Sequence, residues 1–355
     1  MKTLIVQNYW TPYRSDLFEA LSGLTDIEVL YLGNIGSDRL WEMEKVKFKY
    51  ISVQSNKKGP FIFSNISNVD FSIYDQVVVL EHMENIFTVL KIIKKFPDRF
   101  FLWSGMFNNM YPDKPLYGGV VDLFKRVYRP FLYRARGYFA YSSLTRDMFL
   151  SCGVASDKIE IIKQASRVVE TGESEQEYDI NLIKSNRKPL KVLSLGYLRK
   201  EKNNDFLIRV CSRFTKEELI LTVVGNGPEK ENLENIAGNN IVLKDYLEGE
   251  AKSRVYTNAD LFILPTIRDP WALTVNEAMF YGLPVICSNR AGVKDIIDGN
   301  GYIIDPWDEE ELFNILRGLV SIRDRVPEMG KRSKAIIAEY SIEKAAEQLA
   351  GILLK

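Results

Sequence analysis

The amino-acid sequence predicts an α/β protein of two doubly wound, Rossmann-like domains, and three observations carry that prediction. Its 355 residues exceed what one hydrophobic core usually supports. Short apolar runs rich in β-branched and aromatic residues alternate with longer stretches of helical period, the pattern of βαβ units, and this alternation occurs twice. Between the two series, residues 168–188 turn polar and acidic without an apolar period, and Pro189 follows.

In the first series the apolar runs predict strands at 3–7, 27–32, 75–80, 99–103, 137–141 and 159–162, with amphipathic helices at 14–23 and 84–95 among them. Residues 1–167 form the first domain and 168–188 the linker. The second domain, 189–340, has predicted strands at 191–196, 219–225, 240–243, 260–264, 284–288 and 302–304. No internal repeat or low-complexity tract is evident. Open parallel sheets bind ligands outside the carboxyl ends of their strands. Functional residues are therefore expected just after strands, facing a cleft between the domains.

Composition narrows the function. Lysine plus arginine and aspartate plus glutamate both number 47, so no net field draws the chain to nucleic acid. Cys152, Cys211 and Cys287 are odd in number and widely spaced, which suits reduced thiols in a cytoplasmic protein better than disulfides or a zinc site. The opening Met1-Lys2-Thr3 leads straight into Leu4-Ile5-Val6, read as a first strand and not a signal peptide. No apolar run approaches the roughly 18 residues of a membrane span. His82 is the single histidine, so a Ser-His-Asp triad would have to use it.

The most informative segment is the strand Leu261-Phe262-Ile263-Leu264, followed by Pro265 through Trp271 and then by Ala272 through Gly282 with helical character. Asp269 and Glu277 lie eight residues apart, or about 12 Å along a helix axis. That is too far for one acid/base dyad and suits gripping two parts of an elongated ligand. Backbone N–H groups of Ala272, Leu273 and Thr274 would lie between, where a helix N-terminus meets phosphate oxygens. Spacing alone leaves another reading open, with Asp269 as an N-cap before Pro270 and Glu277 as a solvated helix residue.

This stretch, with Gly282-Leu283-Pro284-Val285 and Gly292-Val293-Lys294-Asp295, resembles the signature of the retaining family 4 glycosyltransferases of the GT-B fold, whose pattern has two glutamates separated by seven residues. Here the first acid is Asp269, and Ala272 stands where the family usually has glycine. Gly196-Tyr197-Leu198-Arg199-Lys200-Glu201-Lys202 resembles the family's glycine and basic loop, with Lys202 matching its lysine and Arg199 a substitute for an arginine that usually occupies the position of Tyr197. Val223-Val224-Gly225-Asn226-Gly227 resembles a loop near the nucleotide, although a plain turn accounts for it equally well.

The N-terminal resemblance rests on the loop Tyr9-Trp10-Thr11-Pro12-Tyr13-Arg14 after the first strand, without the paired glycines common in the family, and on Tyr141-Ser142-Ser143 through Ile162. Trp103-Ser104-Gly105 stands where many members carry a donor-contacting histidine, a role His82 could take in part. The resemblance implies a retaining, metal-independent hexosyltransferase that needs no cofactor. Its donor would be a nucleotide diphosphate sugar and its acceptor a glycan or lipid-linked saccharide, in cell-surface polysaccharide synthesis.

On the same basis Glu277 would hold the ribose, Asp269 the donor sugar, Lys202 and Arg199 the diphosphate, and Gly196, Gly225, Ala272, Leu273 and Thr274 would line the donor site. Tyr9, Trp10, Tyr13 and Arg14 would form the acceptor-side loop, and a last helix, 341–355, would pack back on the first domain. Two alternatives stay open: a nucleotide-sugar epimerase or hydrolase on the same fold, and a non-catalytic partner subunit. Finally, residues 120–136 interleave five basic side chains with aromatics. They are either a helix on the core or a contact with the inner face of the cell membrane.

Overall fold

The structure is a computed structural model that describes residues 1–33, 45–59, 61–108, 119, 134–168 and 189–355. The 168–188 linker, beyond its first residue, and the basic aromatic segment, beyond Arg134-Ala135-Arg136, lie outside the described residues. The chain divides into two compact units, Met1–Arg167 with Tyr340–Lys355, and Val168–Glu339.

The first unit carries β1 (Lys2–Gln7), α1 (Pro12–Ser22), β2 (Asp26–Tyr31), β3 (Lys49–Ser52), β4 (Ser55–Lys58), β5 (Phe61–Ser64), β6 (Gln76–Leu80), α2 (Ile86–Ile93), β7 (Phe100–Ser104), β8 (Gly137–Ala140), α3 (Ser143–Ser151) and β9 (Ile159–Ile161). Its main sheet has the order β3-β2-β1-β6-β7-β8-β9 and is parallel throughout. Side chains alternate between the two covered faces, as the two-residue period of a strand requires. Leu4, Val6, Phe100 and Leu102 enter one core, whereas Ile5, Phe101 and Trp103 enter the other. β3 and the antiparallel hairpin β4–β5 have no counterpart in the sequence reading. Their side chains are half-buried or exposed, and only β5, with Phe61-Ile62-Phe63, carries a short apolar run.

The second unit contains β10 (Leu190–Leu195), α4 (Asn204–Cys211), β11 (Leu219–Val224), α5 (Lys230–Ile236), β12 (Ile241–Lys244), α6 (Gly249–Thr257), β13 (Leu261–Leu264), α7 (Leu273–Phe280), β14 (Val285–Ser288), β15 (Gly301–Ile304), α8 (Glu309–Ser321) and α9 (Arg325–Ile337). Its six strands run parallel in the order β12-β11-β10-β13-β14-β15. Leu261 and Ile263 point into a core with Leu207, Leu221 and Leu312. Phe262 on the opposite face meets Tyr256, with ring centroids 6.1 Å apart.

The last helix, α10 (Ile342–Leu353), belongs to the first unit. Ala345, Ala346, Leu349 and Leu353 share a core with α1 and β1. Polar bonds fix its register: Gln348 Oε1 accepts from Lys163 N at 3.0 Å, and Gln76 Nε2 donates to the Leu353 carbonyl at 2.8 Å.

Candidate functional site

In the second sheet the chain runs outward from β10 to β12, then returns to place β13 on the other side of β10. That reversal is a topological switch point, where loops diverge and open a crevice for ligands. The loops after β10 and β13 are tied together there. Asn203 adopts a left-handed conformation at φ 58°, which asparagine tolerates better than most residues. Its side-chain amide donates to the carbonyls of Pro265 at 3.2 Å and Pro306 at 2.8 Å. Thr266 Oγ1 and Ile267 N both donate to the Glu201 carbonyl, at 2.6 and 2.9 Å, and the Arg268 guanidinium pairs with the Glu201 carboxylate.

Lys202 and Asp269 meet across this junction, with Lys202 Nζ donating to Asp269 Oδ2 at 2.6 Å. The other carboxylate oxygen accepts from the backbone N–H groups of Trp271 and Ala272, at 3.0 and 3.1 Å. Asp269 is also fixed through its backbone, which forms an isolated parallel bridge with Ala291. Charge and position are thus set together at the carboxyl ends of the strands.

Asp269 closes a turn ahead of α7 and is not its N-cap, a position held by Ala272. The Ala272 N–H is consequently taken by Asp269 Oδ1. Among the described residues no acceptor meets the N–H groups of Leu273 and Thr274. These are first-turn donors of a helix that points its positive end at the crevice.

Glu277 is not a solvated helix residue, since its side chain is only 13% exposed. Lys252 Nζ donates to Oε1 at 2.7 Å, and Tyr256 OH donates to Oε2, also at 2.7 Å. Burial pushes the Tyr256 hydroxyl well above the ordinary phenol range, and the adjacent Glu277 charge adds to the rise. The phenol therefore stays a donor to the carboxylate at any physiological pH. The Tyr256 ring stacks on Tyr281 at 5.2 Å. Lys252 and Tyr256 went unseen in the sequence because only the packing of α6 on α7 brings them to Glu277; their four-residue spacing on one helix face was the sole available signal.

The glycines serve the backbone. A Cβ on Gly225 would lie 1.9 Å from the Gly196 carbonyl oxygen, and one on Gly227 would lie 2.4 Å from that of Leu198. Leu198 N donates to Asn226 O at 2.8 Å, so the turn after β11 seats directly on the loop after β10. Gly225, a candidate donor residue from sequence, thus has a packing duty beside Gly196. Arg199 is exposed and lies over the Tyr197 ring, 4.6 Å from its centroid.

The first sheet has its own switch point between β1 and β6. Asn85 Nδ2 donates to Asn8 Oδ1 at 3.0 Å, joining the loops that follow these strands. His82 is half-buried in the loop after β6, and its carbonyl accepts from Asn85 N at 3.1 Å. Ser104, at the corresponding end of β7, is fully buried, and its hydroxyl accepts from Met106 N.

Tyr9 and Tyr13 are half-buried, but Trp10 and Arg14 are not surface loop residues. Trp10 is 3% exposed in the core shared with α10. Pro12 starts α1, which places Arg14 inside its first turn and turns the side chain inward, also 3% exposed. The guanidinium lies over the rings of Trp103 at 4.1 Å and Tyr141 at 5.1 Å and donates to Gln164 Oε1 at 3.0 Å. Burial raises the Tyr141 hydroxyl above its ordinary range, and the Arg14 charge opposes that rise.

Two Rossmann-like parallel sheets, each with polar side chains gathered at its switch point, define the fold class as GT-B, that of one large group of glycosyltransferases. Residues 175–349 match the family model of the glycosyl transferases group 1. Over 168 residues the chain is 30% identical to a sulfoquinovosyl transferase of Arabidopsis thaliana, covering 46% of this chain and 32% of that protein. Over 171 residues the chain is 30% identical to an uncharacterized glycosyltransferase of Haemophilus influenzae, covering 46% and 48%. The matched region thus spans half or less of these relatives' length.

Among solved structures, Anabaena HepE in complex with UDP-glucose superposes over 100% of this chain and 99% of its own, with a TM-score of 0.71 at 16% identity. That is a likeness of fold. No described helix is long and apolar enough to cross a membrane.

Proposed function

We propose that this chain is a retaining, metal-independent glycosyltransferase of hexosyltransferase type, which moves a sugar from a nucleotide diphosphate donor to a glycan or lipid-linked saccharide in cell-surface polysaccharide synthesis at the cytoplasmic face of the membrane. The observation that carries this reading is the Lys202–Asp269 contact of 2.6 Å at the carboxyl ends of β10 and β13. It sets a cation beside the two open N–H donors of α7, an arrangement suited to the charge that develops on a leaving diphosphate. Asp269 would accept from donor sugar hydroxyls and Glu277 from ribose hydroxyls, with Lys252 and Tyr256 orienting Glu277.

In the proposed step the bond between the anomeric carbon and the diphosphate oxygen breaks, and the acceptor oxygen bonds to that carbon on the same face. The acceptor proton passes to a leaving phosphate oxygen, so no protein nucleophile is required. His82, Tyr9 and Tyr13 are the acceptor-side groups of this scheme, and Arg199 is a flanking cation for the diphosphate.

A thermal-shift screen of the full chain against UDP, GDP, dTDP, ADP and CMP, with and without a chelator, tests the reading. A ligand at 100 times its Kd adds about 2.7 kcal/mol to the unit that binds it, or roughly 5–10 °C for a unit of this size. A shift with one nucleoside diphosphate that survives chelation is expected; no shift with any of them overturns the proposal. Turnover of the matching sugar nucleotide without acceptor would favour the epimerase or hydrolase alternative.

A further inference from the structure

Among the described residues, Arg14 is a cation buried without an anion. No carboxylate among the described residues pairs with it; it donates to Gln164 Oε1 at 3.0 Å, hydrogen-bonds the Tyr141 hydroxyl, and lies against the ring faces of Tyr13, Trp103 and Tyr141. Burying a guanidinium is costly unless its charge and its five donors are answered. Cation–π contacts return only part of that. Two donors in this one stack meet no acceptor among the described residues: Arg14 Nε and the indole Nε1 of Trp103, a side chain that is itself 1% exposed. Tyr13 and Tyr141 flank the guanidinium at 5.3 and 5.1 Å and are half-buried, so the cluster borders solvent.

The chemistry missing from this cluster is an anion rich in acceptors. Because the Arg14 guanidinium lies over the Trp103 ring at 4.1 Å, its N–H groups and the indole N–H leave from separate planes. A carboxylate presents two coplanar acceptors and suits a single guanidinium fork. A phosphate offers oxygens in several directions and can serve both. We propose that Arg14, with Trp103, binds a phosphate group carried by the acceptor, so that the acceptor is a phosphorylated saccharide or a phosphate-linked lipid. This inference rests on the glycosyltransferase reading and names the substrate class of its acceptor side.

The test uses the full chain and keeps the donor site as its control. Inorganic phosphate, glucose 1-phosphate and neutral methyl α-glucoside are titrated into the wild type, Arg14→Gln, Arg14→Lys and Lys202→Met, each checked for folding by its urea midpoint. The expected result is at least a tenfold loss of glucose 1-phosphate affinity in Arg14→Gln, partial recovery in Arg14→Lys, and little change in Lys202→Met. Loss in Lys202→Met with retention in Arg14→Gln would mean that phosphate uses the donor site, which overturns the proposal. So would methyl α-glucoside binding as well as glucose 1-phosphate, or a destabilised Arg14→Lys that still binds phosphate normally.

Vesicles with and without phosphatidic acid identify the source of the phosphate. Flotation dependent on Arg14 assigns it to a lipid, and binding of glucose 1-phosphate alone assigns it to a soluble saccharide. Nucleotide binding by the Arg14 variants is read separately, so failure here leaves the donor assignment standing or falling by its own measurement.

Discussion

Replacing Asp269 by asparagine and by alanine separates the two duties of this carboxylate. Asparagine can keep a carbonyl oxygen for the N–H groups of Trp271 and Ala272, but it removes the charge that Lys202 Nζ meets at 2.6 Å. The side chains of the pair are 26% and 14% exposed, between the exposed case worth about 0–1 kcal/mol and the fully buried case in which removing one partner costs about 3–5 kcal/mol. Asp269→Asn should therefore lower the stability of the second unit by about 1–2 kcal/mol, or roughly 3–6 °C in Tm. Asp269→Ala should cost about 1 kcal/mol more, the typical value of a lost side-chain cap.

The assay is urea unfolding followed through Trp271 and Trp307, with a double-mutant cycle of Lys202→Met and Asp269→Asn to isolate the pair. Equal costs for the asparagine and alanine variants would refute the turn-closing role. A coupling energy below about 0.3 kcal/mol would refute the reasoning that the ion pair ties the two loops.

Two further predictions follow from the packing. Gly227→Ala should destabilise the second unit by about 2 kcal/mol or more, because overpacking adds to the strain of a positive φ near 154°; an unchanged urea midpoint would show that the turn after β11 is free to move. Stability should also fall in alkali: the thiol of Cys287 is raised by burial from 9.0 to about 12 in the folded chain, so between those values the unfolded state has lost a proton that the folded state keeps. At pH 10 that penalty is about 1.4 kcal/mol, and Cys287→Ala should flatten the decline by this amount; an identical slope would place the thiol in solvent.

The strands were legible in the sequence because a parallel sheet buried on both faces demands consecutive apolar residues, as in Leu261-Phe262-Ile263-Leu264. β3, with Lys49 and Tyr50 exposed at the sheet edge, breaks that rule and left no trace. At the switch point of the second sheet, Asp269, Glu277 and Lys202 stood out in the sequence through their order after strands and through family resemblance. Their present partners were only partly so. Lys252 and Tyr256 reach Glu277 by packing of one helix on another, which no local pattern encodes. Arg14 reads from sequence as a residue of the acceptor-side loop, and only the fold brings Trp103, Tyr141 and Gln164 around it. A single sequence carries period and spacing well and distant side-chain company poorly.

The most direct test of the account is a calorimetric titration of the nucleoside diphosphate that stabilises the chain into the wild type, Glu277→Gln and Lys202→Met. The account predicts at least a tenfold loss of affinity in each variant, with the fold retained. Wild-type affinity in both variants would contradict the assignment of the donor site to the switch point of the second sheet.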